Sequence, residues 1–355
     1  MTDKALKLIT QKEAVRTSYD RLVANRKRGF GLGGVSTGID AINLSIGGFL
    51  PEKVSVFAAR SGIGKTGLIN SFIAGGHPVR QNKRGSYLVM SWEMSPSLLV
   101  TREICRIKGM TQGLFLNGAS LLGDQTMKEI EDIYSECATY DVEYQTVSTN
   151  LTNVKKLTEQ FVERCRANEQ KEGIEIQPII VIDFIQMMKG EDGGLKTYQL
   201  SDFMVGIKDT ANETGAHFAV LAQLQREVDS KSEPERDNLS DSKSIEDSSD
   251  SMVFLHRPEY NNIDEIRDPK TGGDYNNGNP NVKNSENVMM LRTLKDRNFG
   301  TRDTLINIDI KHFRFWNLGD EWDTDFHHKY TKKAFWLEYF NLKKGDEKQL
   351  NLDNT

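Results

Sequence analysis

Cysteine is scarce in this sequence. Cys105, Cys137 and Cys165 lie far apart without a C-x-x-C spacing, which argues against a zinc site and fits a reduced compartment with the three thiols as packing residues. Long apolar runs are missing as well. The N-terminal segment MTDKALKLITQKEAVR has no continuous apolar centre, and the longest apolar stretch, Ile179 to Met188, is interrupted by Asp183 and Gln186. The sequence therefore predicts a protein that is neither secreted nor membrane-spanning, and so cytoplasmic. An excess of positive charge is also lacking: 46 Lys and Arg stand against 51 Asp and Glu, a net charge of −5. Any nucleic-acid site must then be local.

What is present is enough for one large α/β domain with extensions, or two small ones. The chain has 355 residues, 37% hydrophobic and 27% charged, with no internal repeat. Its centre is Val54 to Thr66, VSVFAARSGIGKT, an apolar strand running into a loop that ends Gly-Lys-Thr. Such a loop binds phosphate. Gly62 and Gly64 let the backbone turn its N–H groups inward, and the helix that follows, GLINSFIA from Gly67, adds its positive N-terminal end. Arg60, Ser61, Gly62, Ile63, Gly64, Lys65 and Thr66 would surround ATP, with Lys65 on the β- and γ-phosphates and the Thr66 hydroxyl on Mg²⁺. Ala59 stands where the usual pattern has its first Gly.

Along the chain, apolar residues at loose helical spacing from Lys4 to Arg28 read as a thin amphipathic helix, either a frayed terminus or a helix that docks on another subunit. GFGLGG, Gly29 to Gly34, links it to the main domain. Thr37 or Asp40 marks a helix start, and Gly47-Gly48 its stop. Ser86 to Trp92 reads as a buried parallel strand ending in Glu93, and helical patterns follow over Leu98 to Lys108, Met127 to Tyr140 and Val154 to Glu169. PIIVIDFIQMM, Pro178 to Met188, reads as a strand covered on both faces, with Asp183 at its carboxyl end. A helix over Thr197 to Thr214 and a strand over His217 to Gln223 come next. Arg226 to Asp250 is polar and expected to be unpacked. Met252 to His256 is a further strand, residues 261–287 are expected to be a mobile insertion, and strands Val288 to Leu294 and Leu305 to Ile310 close the sheet through the turn KDRNFGTR. Residues 319–355 form an acidic, aromatic tail.

Strands alternating with helices imply a three-layer α/β fold with a mostly parallel central sheet flanked by helices. That topology brings Glu93, Asp183 and Gln223 to strand ends beside the phosphate loop. Singly, each is a solvated strand-end residue. Together they match the needs of nucleotide hydrolysis: an acid to order the metal, a base for water and an amide to sense the γ-phosphate.

In this order along the chain the motifs resemble the DnaB-type hexameric replicative DNA helicases of the RecA-like superfamily, over roughly Gly29 to Leu318. GVSTGIDAINLSIGGFLPEKVSVFAARSGIGKT, VMSWEMS, IVIDFIQMM and LAQLQRE resemble that family's nucleotide-site motifs. LSDSKSIEDSSDSMVFLHR resembles its DNA-facing loop, and LKDRNFGTR its basic hairpin. The resemblance implies a RecA-like P-loop NTPase domain over 29–318, with residues 1–28 as a linker helix. It makes Glu93, Lys65, Asp183, Gln223, Lys295 and Arg297 catalytic, Thr66 and Asp183 metal-binding, and ATP with Mg²⁺ the ligands. Lys295 and Arg297 would reach into a neighbouring subunit's nucleotide.

Lys243 and Arg226 would touch DNA. Lys243 stands where the family has an Arg, a point charge in place of a bidentate fork. The implied partners are single-stranded DNA, copies of the chain in a hexameric ring, and replisome proteins such as a primase or loader. With only residues 1–28 before the core, the expectation is a compact, phage-type member without the family's N-terminal helical domain, acting in the host cytoplasm. Two rival readings are a filament-forming recombinase ATPase of the same superfamily and a non-translocating loading scaffold.

Overall fold

The computed structural model describes residues 8–28, 32–190, 197–224, 239, 242–263, 265–266 and 285–317. Six strands run parallel: β1 (Val54–Ala59), β2 (Lys83–Ser91), β3 (Val142–Gln145), β4 (Glu175–Asp183), β5 (His217–Gln223) and β6 (Ser251–His256). Three more, β7 (Val288–Asp296), β8 (Arg302–Asp309) and β9 (Arg314–Asn317), add antiparallel to one side. The order across the sheet is β3-β2-β4-β5-β1-β6-β7-β8-β9.

The α-helices among the described residues are α1 (Gln11–Arg28), α2 (Asp40–Ile46), α3 (Gly67–Gly76), α4 (Pro96–Lys108), α5 (Gln112–Asn117), α6 (Asp124–Cys137), α7 (Leu151–Glu172), α8 (Thr197–Thr214) and α9 (Ser242–Ser248). None is long and apolar enough to cross a membrane.

Alternation within the strands sorts the core into two layers. Phe57, Ala59, Val89, Val181 and Leu221 pack on Ile42, Leu68 and Phe72 of α2 and α3. Val54, Val56, Ile180, Ile182 and Val220 pack on Phe161, Met204, Ile207 and Ile245 of α7, α8 and α9. Parallel strands covered on both faces must be apolar throughout, which is why β1 and β2 are buried along their whole length.

Local chemistry sets the helix ends. Ser95 accepts from the Leu98 N–H and Pro96 opens α4, while Gly109 closes it in the left-handed region. Asn150 and Gly173 do the same for α7. Cys105 and Cys165 are buried packing residues, and burial pushes the thiols of Cys105, Cys137 and Cys165 up to about 11, 12 and 11.

Several elements differ from the sequence reading. β3 and β9 are added at the two edges, where half-exposed strands need no apolar run. α2 begins at Asp40, as expected, but Ile39 holds the cap position without a side-chain bond, and Thr37 bonds Asn43. The stretch Arg226 to Asp250, expected to be unpacked, contains α9 and the buried residues Leu239, Ile245, Ser249 and Asp250. Its few apolar residues are too sparse to read against so many charges.

The base of the 261–287 insertion is also packed. Asn261, Ile266 and Ser285 are buried, and Ile266 joins Val288, Met290 and Leu305 in a small cluster. Residues 264 and 267–284 of that insertion, Arg226 and the 319–355 tail lie outside the described residues.

Candidate nucleotide-binding site

The register of the parallel strands builds the site. Ser91 pairs with Asp183 and Ala59 with Gln223, so β2, β4, β5 and β1 finish at one edge, where ligands of α/β sheets bind. The phosphate loop leaves β1 there. Gly62 and Gly64 adopt φ values of 80° and 111°, which L side chains avoid, and the first backbone bond of the helix turn is Gly67 N–H to Gly64 C=O at 2.9 Å. Among the described residues the N–H groups of Ser61 to Thr66 make no backbone bond and can serve an anion. Ala59 continues the strand, and its carbonyl accepts from Lys65 Nζ at 2.9 Å and Leu224 N–H at 3.0 Å.

Three charged groups meet behind the loop. Asp183 is fully buried, and among the described residues neither carboxylate oxygen has a hydrogen bond of good geometry. Burial pushes its pKa up to about 6, and the nearby Glu93 charge adds to that; Lys65, the Thr66 hydroxyl and Arg102 pull the other way. Lys65 is pushed down to about 8 by burial, against the attraction of Asp183 and Glu93.

Thr66 opens α3 without spending its hydroxyl on a cap. Two orphaned carboxylate oxygens beside that hydroxyl are the hard donors that Mg²⁺ takes when substrate phosphates supply further ligands. The donor set therefore fits the metal. Glu93 follows β2, exposed to solvent and within electrostatic reach of Lys65, Asp183 and Arg102.

Of the expected catalytic residues, Lys65, Glu93, Asp183 and Gln223 are brought to one edge. Lys295 and Arg297 are not. β7 runs antiparallel to β6 with Asp296 opposite Ser251, which places their hairpin at the amino edge of the parallel strands. A strand of six residues such as β1 spans about 17 Å, so this hairpin is on the far side of the sheet from the loop of its own chain. Arg297 donates to the Asp247 carbonyl at 2.9 Å, and Lys295 donates to the Glu246 carbonyl. Both thus rest on the last turn of α9, the helix that carries Lys243; the side chain of Lys243, like all of Arg226, is outside the described residues.

Sequence reasoning missed several neighbours of the site. Arg102, on α4 behind Glu93, lies within reach of Asp183 and Glu93, its guanidinium 4.9 Å from the Phe313 ring centre. Burial lowers its pKa, and its Nε has no partner among the described residues. The available signal was one arginine among Leu98, Leu99, Val100 and Ile104.

Tyr260 was also overlooked. Its hydroxyl stands 2.8 Å from where a side chain on Gly62 would begin, and Arg257 stacks over its ring at 5.5 Å. Both sit at the start of a polar stretch that carries no apolar signal.

A family model described as the DnaB-like helicase C terminal domain matches residues 34–317. The replicative DNA helicase DnaB of Geobacillus stearothermophilus is 25% identical over 257 residues, 71% of this chain and 54% of that protein. That of Rickettsia bellii is 24% identical over 298 residues, 80% of this chain and 58% of its own. The chain thus spans about half the length of the curated relatives it matches.

Among solved structures, one described as an ATPase domain superposes with a TM-score of 0.70 at 17% identity, over 88% of this chain and all of that one. A DnaB-like replicative helicase, described with its interactions with primase, gives 0.66 at 17% identity over 88% and 68%. Both likenesses show the fold, a mostly parallel sheet flanked by helices. With a family model covering most of its length, the chain belongs to the family of DnaB-like helicase C-terminal domains.

Proposed function

We propose that the chain is an ATP-hydrolysing motor that assembles as a ring of copies, translocates on single-stranded DNA and opens duplex at a fork. The observation that carries this is the pair of orphaned, buried carboxylate oxygens of Asp183 between Lys65 and Glu93. A buried carboxylate that accepts no hydrogen bond of good geometry among the described residues makes physical sense as part of a site that a ligand completes.

ATP would lie with its phosphates on the N–H groups of residues 60–66 and its β- and γ-oxygens at Lys65. Mg²⁺, held by Asp183 and Thr66, would supply the positive charge that neutralises the phosphates. Glu93, exposed at the rim, takes the proton of the attacking water, and Gln223 reads the γ-phosphate from the end of β5. Tyr260 and Arg257 offer a flat surface above Gly62 for the base.

A second copy would complete each site with Lys295 and Arg297, a role supported by their position across the sheet from their own loop. α1 would hold the ring together. Its Val15, Tyr19 and Leu22 are exposed, as are Leu116, Leu121 and Tyr134 on the α5–α6 side, and one surface can cover the other between copies. Lys243 and Arg226 would grip DNA phosphates with little sequence preference. Replisome proteins such as a primase or a loader would act on the assembled ring.

The test is ATP hydrolysis with and without single-stranded DNA, and separation of a forked duplex, for wild type and Glu93→Gln. The expected result is DNA-stimulated hydrolysis and fork opening, both lost in the variant. Hydrolysis without fork opening at any protein concentration overturns the helicase reading in favour of the recombinase, and absence of hydrolysis in favour of the scaffold.

A further inference from the structure

β4 and β5 form ladder pairs only as far as Ile182 and Val220. Beyond that point the chain turns after Asp183 into a short 3₁₀ helix, Ile185–Met187, and the backbone of β4 moves away from the end of β5. One side chain bridges the gap. Gln186 Oε1 accepts from the Gln223 N–H at 3.1 Å, and Gln186 Nε2 donates to the Gln223 carbonyl at 2.9 Å. A primary amide used as both donor and acceptor replaces the missing ladder pair.

The other side of Gln223 is held by β1. Gln223 pairs in register with Ala59, whose carbonyl receives both Leu224 N–H and Lys65 Nζ. The Gln223 backbone is therefore clamped between the phosphate loop and the turn that follows Asp183.

We infer that Gln186 is a positioning residue: its carboxamide holds Gln223 at the height where its side chain meets the γ-phosphate, and ties the movement of that residue to the metal-binding strand. The inference rests on the proposed function above, because it assigns a task to Gln223. The chemistry is specific to an amide of this length. Met fills the same volume with neither bond, and Glu keeps the acceptor but sets a charge against the Gln223 carbonyl.

The experiment uses the full chain with single-stranded DNA and Mg-ATP. It compares wild type, Gln186→Met, Gln186→Glu, Gln223→Ala and the double variant Gln186→Met/Gln223→Ala, with Lys65→Ala as the background. Two readouts are taken: hydrogen exchange of the peptide ending at Leu224, and kcat and KM for DNA-stimulated hydrolysis.

For Gln186→Met, exchange at the Gln223 amide should rise about tenfold or more, and kcat should fall about tenfold with KM within about twofold. The double variant should be no slower than Gln223→Ala alone, because the two residues act as one unit. Gln186→Glu, which keeps the acceptor, should fall between wild type and Gln186→Met in both readouts, and stands in if the methionine variant does not fold.

Exchange and kcat within twofold of wild type would overturn the inference, as would a double variant slowed by the product of the single effects. If wild type hydrolyses no faster than Lys65→Ala, the proposed function fails instead, and the exchange measurement still decides whether Gln186 holds Gln223.

Discussion

Two aspartates at opposite edges of the parallel strands are both buried and are oppositely treated. Asp183, at the carboxyl edge, is fully buried with both oxygens unpartnered among the described residues. Asp250, at the amino edge before β6, is also buried, but it accepts from Val54 N–H at 2.9 Å, Lys208 Nζ at 2.7 Å and Lys53 Nζ at 3.2 Å. Burial raises the pKa of both. At Asp183 that effect wins; at Asp250 the bonds from Lys208 and the Val54 N–H, with the charges of Lys208 and Lys53, outweigh it and leave the carboxyl below its ordinary range. The lesson is that burial alone does not mark a functional charge. What separates the ligand-binding edge from the structural edge is whether the fold satisfies the charge itself or leaves that to something that binds.

Exchanging each acid for its amide should break the comparison most sharply, and the largest effect belongs to Asp183→Asn. On the proposed function, ATP hydrolysis should fall by on the order of 10³-fold or more, since Mg²⁺ would lose its anionic ligand. Stability should move the other way. The folded carboxyl protonates near pH 6 and the unfolded one near its ordinary value, about 4, so the folded state binds the extra proton between those limits. Stability contributed by this group is therefore highest at acid pH and falls as pH rises through the window, by about 3 kcal/mol across its whole width. The nucleotide-free variant should melt several degrees above wild type at pH 7.5, with the gap closing near pH 4. Equal melting at both pH values would contradict the unsatisfied charge.

Asp250→Asn should instead destabilise, by about 3 kcal/mol, because Lys208 keeps a partly buried charge that has lost its counter-ion. Here the native pKa is depressed. The stabilisation is present above the ordinary carboxylate range and lost as pH falls through the lowered folded value, so the denaturant midpoints of wild type and variant should converge in acid. A variant as stable as wild type at pH 7.5 would place Asp250 with Asp183, not against it.

The two edges also differ in how much of them the sequence exposes to reading. The carboxyl edge was legible because its residues sit at fixed offsets from strong signals: Lys65 and Thr66 after a glycine turn, Asp183 inside an unbroken apolar run, Gln223 at the end of another. The fold's parallel core was legible for the same reason, since strands covered on both faces cannot hide their apolarity. The amino-edge network was not. Lys53, Lys208 and Asp250 come from distant segments, and each looks like an ordinary surface charge until the topology joins them, with Arg297, in one network. Gln186 escaped for a subtler cause: it read as an interruption of an apolar stretch, when the interruption is what clamps Gln223. Arg102 and Tyr260 depend on tertiary approach, which no period or spacing encodes.

In the proposed ring, Lys295 and Arg297 would link the two edges across copies, and a mixing experiment tests this. Lys65→Ala and Arg297→Ala should each be nearly inactive alone. If each site is built from two chains, a one-to-one mixture has both residues intact at roughly a quarter of interfaces, and up to that share of wild-type hydrolysis should return. Sites built within one chain would recover none.

The smallest effect tests whether the amino edge is redundant. Lys208 and Lys53 both bond Asp250, but Lys208 is the more buried of the two, lies closer and also donates to the Glu52 carbonyl at 2.9 Å. Lys53→Met should therefore cost under about 1 kcal/mol, as for a partly exposed ion pair whose partner keeps other donors. Lys208→Met should cost about 2 kcal/mol, since it removes the shortest bond to a buried carboxylate. Urea midpoints for the two variants and the double variant decide it. If the double variant loses clearly more than the sum, each lysine covers for the other and the edge is held by redundancy; simple addition would mean that Asp250 draws on Lys53 and Lys208 independently, with the Val54 N–H as the one donor neither can replace.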